Sequence, residues 1–227
     1  MRTQRGFGLV EMMVAVTIGL FLILGLGAIF ISMRQTSIAR QGLSALQDSE
    51  RMAMTLLGAG IQGAGFYPNP LTTTAATQFP AAGAFAGGQS ISGTGNGGGY
   101  GAASPVGTDT LSVRFVASAL GVVQGCSTPL VAGTLYKDVF SVSGGNLVCT
   151  ENGTAYNLVA GVQGMSVLYG VDTAGSVTQY LPASSVTSWA NIKTVSVTLQ
   201  FANPLAGQPG QPTTVSFTRT IPYMNGL

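Results

Sequence analysis

The 227-residue chain has no histidine, two cysteines, one tryptophan and only 7% charged residues. An ordinary soluble domain carries about 25% charge. Each scarcity excludes something. Without histidine, the common general bases, catalytic triads and most transition-metal sites are out of reach. The seven carboxylates are scattered, so neither a paired glycosidase set nor a calcium cluster stands out. Asp172 with Gly175 lacks further Asp or Asn ligands at alternate positions and reads as a hairpin turn. The tract Gly93-Thr94-Gly95-Asn96-Gly97-Gly98-Gly99 has no strand before it, no helix after it and no Lys-Ser/Thr, so it is not a phosphate loop. Nine bases against seven acids give a net charge of +2, too small to imply a nucleic-acid surface. No catalytic residue, cofactor or metal is expected, and the chain is not expected to be an enzyme.

What the sequence does have begins at its start. The run Met12–Met33 carries no charge, and about 20 residues of helix suffice to cross a bilayer. Arg2 and Arg5 precede it, then Gly6, then a lone carboxylate, Glu11, at its mouth. An ordinary signal peptide has an apolar region of about 7–15 residues before a small-residue cleavage site. This run is longer, with no clean site after it. A plain signal anchor accounts for the length but not for Glu11. An ionised carboxylate there costs several kcal/mol unless it finds a partner; snorkelling to the headgroups is the alternative. Basic residues ahead of the run place the N-terminus in the cytoplasm and the remainder outside it.

The stretch Gly6-Phe7-Gly8-Leu9-Val10-Glu11 followed by an unbroken apolar helix resembles the prepilin leader of type IV pilins and type II secretion pseudopilins. The resemblance implies cleavage between Gly6 and Phe7 by the prepilin peptidase, which also methylates the new amino group of Phe7. Loss of Arg2 and Arg5 would leave a formally neutral chain, with seven bases and seven acids. Glu11 would then be the fifth residue. Its nearest available cation in a membrane or filament would be the amino terminus of a neighbouring subunit, a pairing that fixes axial stagger during assembly. Cys126 and Cys149 fall in the exported part, where a disulfide is the default and two free buried thiols the alternative.

Helical character should run on to about Leu57, giving a helix of ~75 Å, with Leu43, Leu46, Ala53 and Leu57 as one apolar stripe. Gly19, Gly25 and Gly27 would allow close helix packing, and Gly25–Gly27 is also a place where the helix could unwind. From Gly58 to Gly107 the chain is rich in Gly, Ala, Ser and Thr and is expected to be a long loop. Beyond Thr108, alternating apolar residues predict strands at 111–116, 138–142, 146–150, 156–160, 162–169, 177–180, 192–201 and 213–221. Gly144-Gly145 makes a hairpin of the second and third, and Asn203–Pro212 joins the last two. Asn152-Gly153-Thr154 matches a glycosylation sequon but reads as turn residues. Tyr67, Tyr100 and Trp189 are expected to pack in core or loops.

Leu46-Gln47-Asp48-Ser49-Glu50-Arg51-Met52-Ala53, Ala64-Gly65-Phe66, Asn157–Gln163, Leu168-Tyr169-Gly170-Val171-Asp172 and Trp189 are similar to the PilW family of minor type IV pilins. The resemblance implies an α+β fold: a long N-terminal helix packed on a mainly antiparallel sheet head. The expected divisions are leader 1–6, membrane or filament-core helix 7–33, amphipathic helix 34–57, glycine-rich loop 58–107 and sheet head 108–227. The implied function is that of a minor pilin priming pilus assembly with other minor pilins and the major pilin. It would sit in the inner membrane and then at the pilus tip, with a tip adhesin as a further partner, and support attachment and twitching. A type II secretion pseudopilin, or a membrane-anchored periplasmic binding module using loop 68–107, are the alternatives.

Overall fold

The computed structural model describes residues 8–98, 107–119, 121–127, 129–173 and 175–224. The chain forms two compact units, Met1–Ala45 and Leu46–Leu227. Helix α1, Leu9–Gly63, supplies the described part of the first and opens the second. In the first unit its large apolar side chains are exposed from Leu9 to Met33. Two threonine hydroxyls of this unit bond back to the helix itself: Thr17 Oγ1 donates to the carbonyls of Met13 (3.1 Å) and Val14 (2.9 Å), and Thr36 Oγ1 to Ser32 (2.9 Å). A helix that satisfies its own polar groups tolerates surroundings without water.

In the second unit Leu46, Ala53, Met54, Leu57 and Ile61 turn one stripe of α1 into the core. Leu43, expected on that stripe, is 39% exposed and lies in the first unit. The helix also passes the expected end at Leu57 and reaches Gly63. Glycine at position 60 lets the chain stay helical where Phe140 comes close. It stops at Gly65, whose φ of 80° suits glycine and whose N–H donates to the Arg114 carbonyl at 2.8 Å.

The expected loop 58–107 is therefore corrected in its described part. It holds the end of α1, a short helix α2 (Ala75–Gln78) and a strand β1 (Ile91–Thr94). Nine strands make two antiparallel sheets among the described residues. The first is a meander of β1, β2 (Thr110–Val116), β3 (Leu135–Ser143), β4 (Asn146–Glu151) and β5 (Thr154–Ala160). The second, in the order β7-β6-β8-β9, is built from β6 (Val162–Asp172), β7 (Val177–Pro182), β8 (Ile192–Ala202) and β9 (Thr214–Pro222). The expected β3–β4 hairpin is present: Ser143 pairs with Asn146, and Gly144 and Gly145 have φ of 58° and 76°, the pair of positive values that a two-residue primed turn demands. The β8–β9 hairpin closes around Asn203, whose Nδ2 donates to the Pro212 carbonyl at 2.7 Å and whose Oδ1 accepts from Leu205 N at 2.9 Å. The end of α1 and the inward faces of both sheets share one apolar core, so the head is α+β as the sequence implied.

Candidate functional site

Gly6 and Phe7 lie outside the described residues. Glu11 stands in the first turn of α1, and its Oε2 accepts the N–H of Gly8 at 3.3 Å. This is the backward half of a capping box: the carboxylate satisfies a donor that the helix start leaves free, and it meets the positive end of the helix dipole. Around it Leu9, Val10, Met12 and Met13 are exposed. A single charge at a helix mouth, on an apolar surface, is well placed to recognise a cation but offers no chemistry of its own.

The second cluster is in the head. Cys126 and Cys149 form a disulfide with Cα atoms 6.1 Å apart, as expected from their compartment. It ties a loop to β4. Beside it are two acids absent from the sequence-based candidates. Asp138 on β3 and Glu151 on β4 are cross-strand partners, exposed by only 1% and 5%. Glu151 Oε2 accepts the backbone N–H of Cys126 (2.9 Å) and of Ser127 (3.3 Å), and Oε1 accepts the Ser127 hydroxyl. Three donors thus converge on the one carboxylate. Asp138 Oδ2 lies 3.3 Å from Cys126 Sγ, a contact to which the oxidised sulfur brings no proton. Burial first, then the charge of Glu151 and a hydrogen bond with it, push the Asp138 carboxyl up to about 7, against a smaller opposing effect of the Cys126 backbone.

The ligand atoms of Cys126, Asp138 and Cys149 lie within 4.8 Å of one another, a metal-like grouping by distance. It does not fit a metal chemically, since a metal binds thiolates and both sulfurs are committed to the disulfide.

Arg114 on β2 is buried on the other face of the same sheet. Its guanidinium donates to the carbonyls of Pro80 (2.7 Å), Ala86 (3.3 Å) and Gln89 (3.1 Å from Nε) and lies 4.2 Å from the Phe85 ring centre. Burial lowers its pKa from the ordinary value. The arrangement pins residues 80–89 to the sheet.

The remaining candidates have structural places. Tyr67 packs edge-on to Phe79 at 5.8 Å, and Trp189 edge-on to buried Tyr169 at 4.8 Å. Burial, then the charge of Asp109, raises the Tyr169 pKa. Tyr100 lies outside the described residues. Asp172 Oδ1 accepts the Gly175 N–H at 2.6 Å, a turn contact. Asn152, with φ of 47°, is a turn residue whose Oδ1 accepts from Lys137 N at 3.0 Å. The missed pair had one signal: Asp138 and Glu151 stand equally far from the Gly144-Gly145 turn, so a two-residue hairpin makes them neighbours.

Two family models agree with the resemblance read from the sequence. Residues 132–220, spanning most of β3 to β9, match the family model of type IV pilus-assembly protein W. Residues 1–27 match the prokaryotic N-terminal methylation motif. A search of curated protein sequences finds no match. Among solved structures, a type IV-like pilin from Thermus thermophilus aligns at 13% identity over 79% of this chain and 97% of its own, with a TM-score of 0.44.

Proposed function

We propose, for a chain that carries the methylation motif and the W-protein segment of type IV pilus assembly, that it is a minor pilin cleaved between Gly6 and Phe7 and methylated at Phe7. The single observation that carries this reading is the presence of both segments on one chain, one on an exposed apolar helix and the other on a sheet head. The apolar helix holds the protein in the inner membrane before processing and enters the filament core after it. Other minor pilins and the major pilin are its partners, and with them it primes assembly and stays at the tip, supporting adhesion and twitching.

Glu11 gives the helix its specificity. Before assembly its carboxylate caps its own first turn through Gly8. A methylated amino terminus on a neighbouring subunit offers a full positive charge in place of that dipole, and an ion pair away from water is far stronger than one in it. The exchange therefore favours the filament and fixes the stagger between subunits. The test is mass spectrometry of the protein from sheared pili, together with cross-linking. A mature N-terminus of N-methyl-Phe7 and cross-links to other pilins are expected. An intact Met1, or cross-links to secretion components alone, would overturn the reading.

A further inference from the structure

Asp138 and Glu151 are two acids with no base between them. They are cross-strand partners on the face of the first sheet that looks toward α1. Glu151 is saturated by the loop donors at Cys126 and Ser127. Among the described residues Asp138 Oδ1 is buried without a hydrogen-bond partner, and Asp138 lines a cavity of about 60 Å³. Among the described residues the rest of that cavity's wall is neutral: Leu56, Ala59 and Gly60 from α1, Gln124 from the loop, Phe140 from β3 and Leu158 from β5. On β2 the cross-strand partner of Asp138 is Val113. On β4 the neighbouring position on the same face is Cys149, which is oxidised, and Glu151 pairs with Thr154 on β5. The nearest cations in sequence, Arg114 and Lys137, alternate to the opposite face, where both lie near the Phe85 ring. Two unscreened carboxylates in such a place repel strongly. A proton between them removes the repulsion and supplies a donor. The loop offers N–H and O–H donors to the pair, which suits an anion holding a proton and opposes a metal cation.

We propose that Asp138 and Glu151 form one singly protonated pair that latches Cys126 and Ser127 to the β3–β4 hairpin and releases them when the proton is lost. The latch makes the disulfide loop of the head responsive to pH outside the inner membrane. The direction follows from linkage. Asp138 binds its proton more tightly folded than unfolded, its carboxyl moving from 3.8 to about 7. Its contribution is thus complete below about pH 4, fades as pH rises to about 7, and is absent above.

The test uses the full chain in detergent micelles with the disulfide intact. Infrared spectra from pH 5 to 9 read the carboxylic-acid C=O band, and hydrogen exchange reads protection factors for the Cys126 and Ser127 amides. A buried acid band persisting above pH 5.5, and protection at these two amides falling at least tenfold between pH 5.5 and 8.5, are expected. Amides of β8 should change less than twofold. Asp138→Asn, whose amide mimics the protonated acid, should remove the band and keep the loop protected at both pH values. Constant protection in the unsubstituted chain, or no acid band above pH 5.5, would overturn the proposal. So would a tenfold loss that survives in Asp138→Asn. Should that variant not fold, the two measurements on the unsubstituted chain decide alone.

Discussion

Leu22 and Leu57 belong to the same helix, yet Leu22 is 63% exposed and Leu57 is fully buried. From Leu9 to Met33 the large apolar residues surround α1 on every side and are exposed among the described residues. From Leu46 to Gly63 they narrow to one stripe, with Gln47, Asp48, Arg51 and Met52 left outside it. An all-round apolar pattern belongs with apolar surroundings, and a stripe belongs with a single packing partner. One helix thus carries two recognition codes: one for an environment supplied from elsewhere, and one for the sheets of its own head. Glu11 is the one acid that the sequence places in the first code.

The two halves of α1 should differ most in their response to a change at Glu11. Glu11→Ala should abolish incorporation into pili, measured by immunoblot of sheared filaments, while the head unfolds within about 0.5 kcal/mol of the unsubstituted chain, as surface changes do. Normal incorporation would show that the first half of the helix assembles through its apolar surface alone. The next largest effect contrasts the two leucines. Leu57→Ala should lower the unfolding free energy of the head by about 2–5 kcal/mol, the range for a fully buried leucine. Leu22→Ala should leave it unchanged. Denaturant titration of both variants in micelles checks this, and a large loss at Leu22 would mean that the head depends on the first code.

The stretch held by Arg114 shows what the sequence disclosed and what it hid. Strand β8 is legible because Val195, Val197 and Leu199 alternate, and all three are buried. The hairpins are legible because Gly144-Gly145 and Asn203–Pro212 carry their turn chemistry with them. Period-two alternation does not say which strands are neighbours, so the division into two sheets was not visible. Strand β1 was hidden because Ile91-Ser92-Gly93-Thr94 is short and sits in a glycine-rich setting. Arg114 alternates with Val113 and Phe115 along β2, and it is buried because residues 80–89 cover its face of the sheet. The apolar helix and Glu11 were readable because lipid-like surroundings impose a composition, whereas the Asp138–Glu151 pair depends on register. Arg114→Met keeps the aliphatic stem and strips the donors from the carbonyls of Pro80, Ala86 and Gln89. Pro80 and Ala86 are exposed and their carbonyls can turn to water, which leaves the half-buried Gln89 carbonyl unpaired; an unpaired buried group costs about 1–3 kcal/mol, so a loss of about 1–3 kcal/mol is expected, with faster proteolysis confined to residues 79–90.

The smallest effect separates two nearby glycines within the second code. A methyl carbon added at Gly58 would have no atom within 4 Å, whereas one added at Gly60 would stand 2.9 Å from the Phe140 ring. Glycine inside a helix costs about 1 kcal/mol relative to alanine. Gly58→Ala should therefore recover up to about 1 kcal/mol. Gly60→Ala gains the same propensity but must displace the ring of Phe140, which is buried in the core. Overpacking of a dense core costs about 1–3 kcal/mol, so the net change there should be a loss. Thermal unfolding of the two variants should shift in opposite directions. Equal shifts would mean that the helix and sheet can slide apart at Gly60 without penalty, and that the second half of α1, like the first, is held by composition more than by fit.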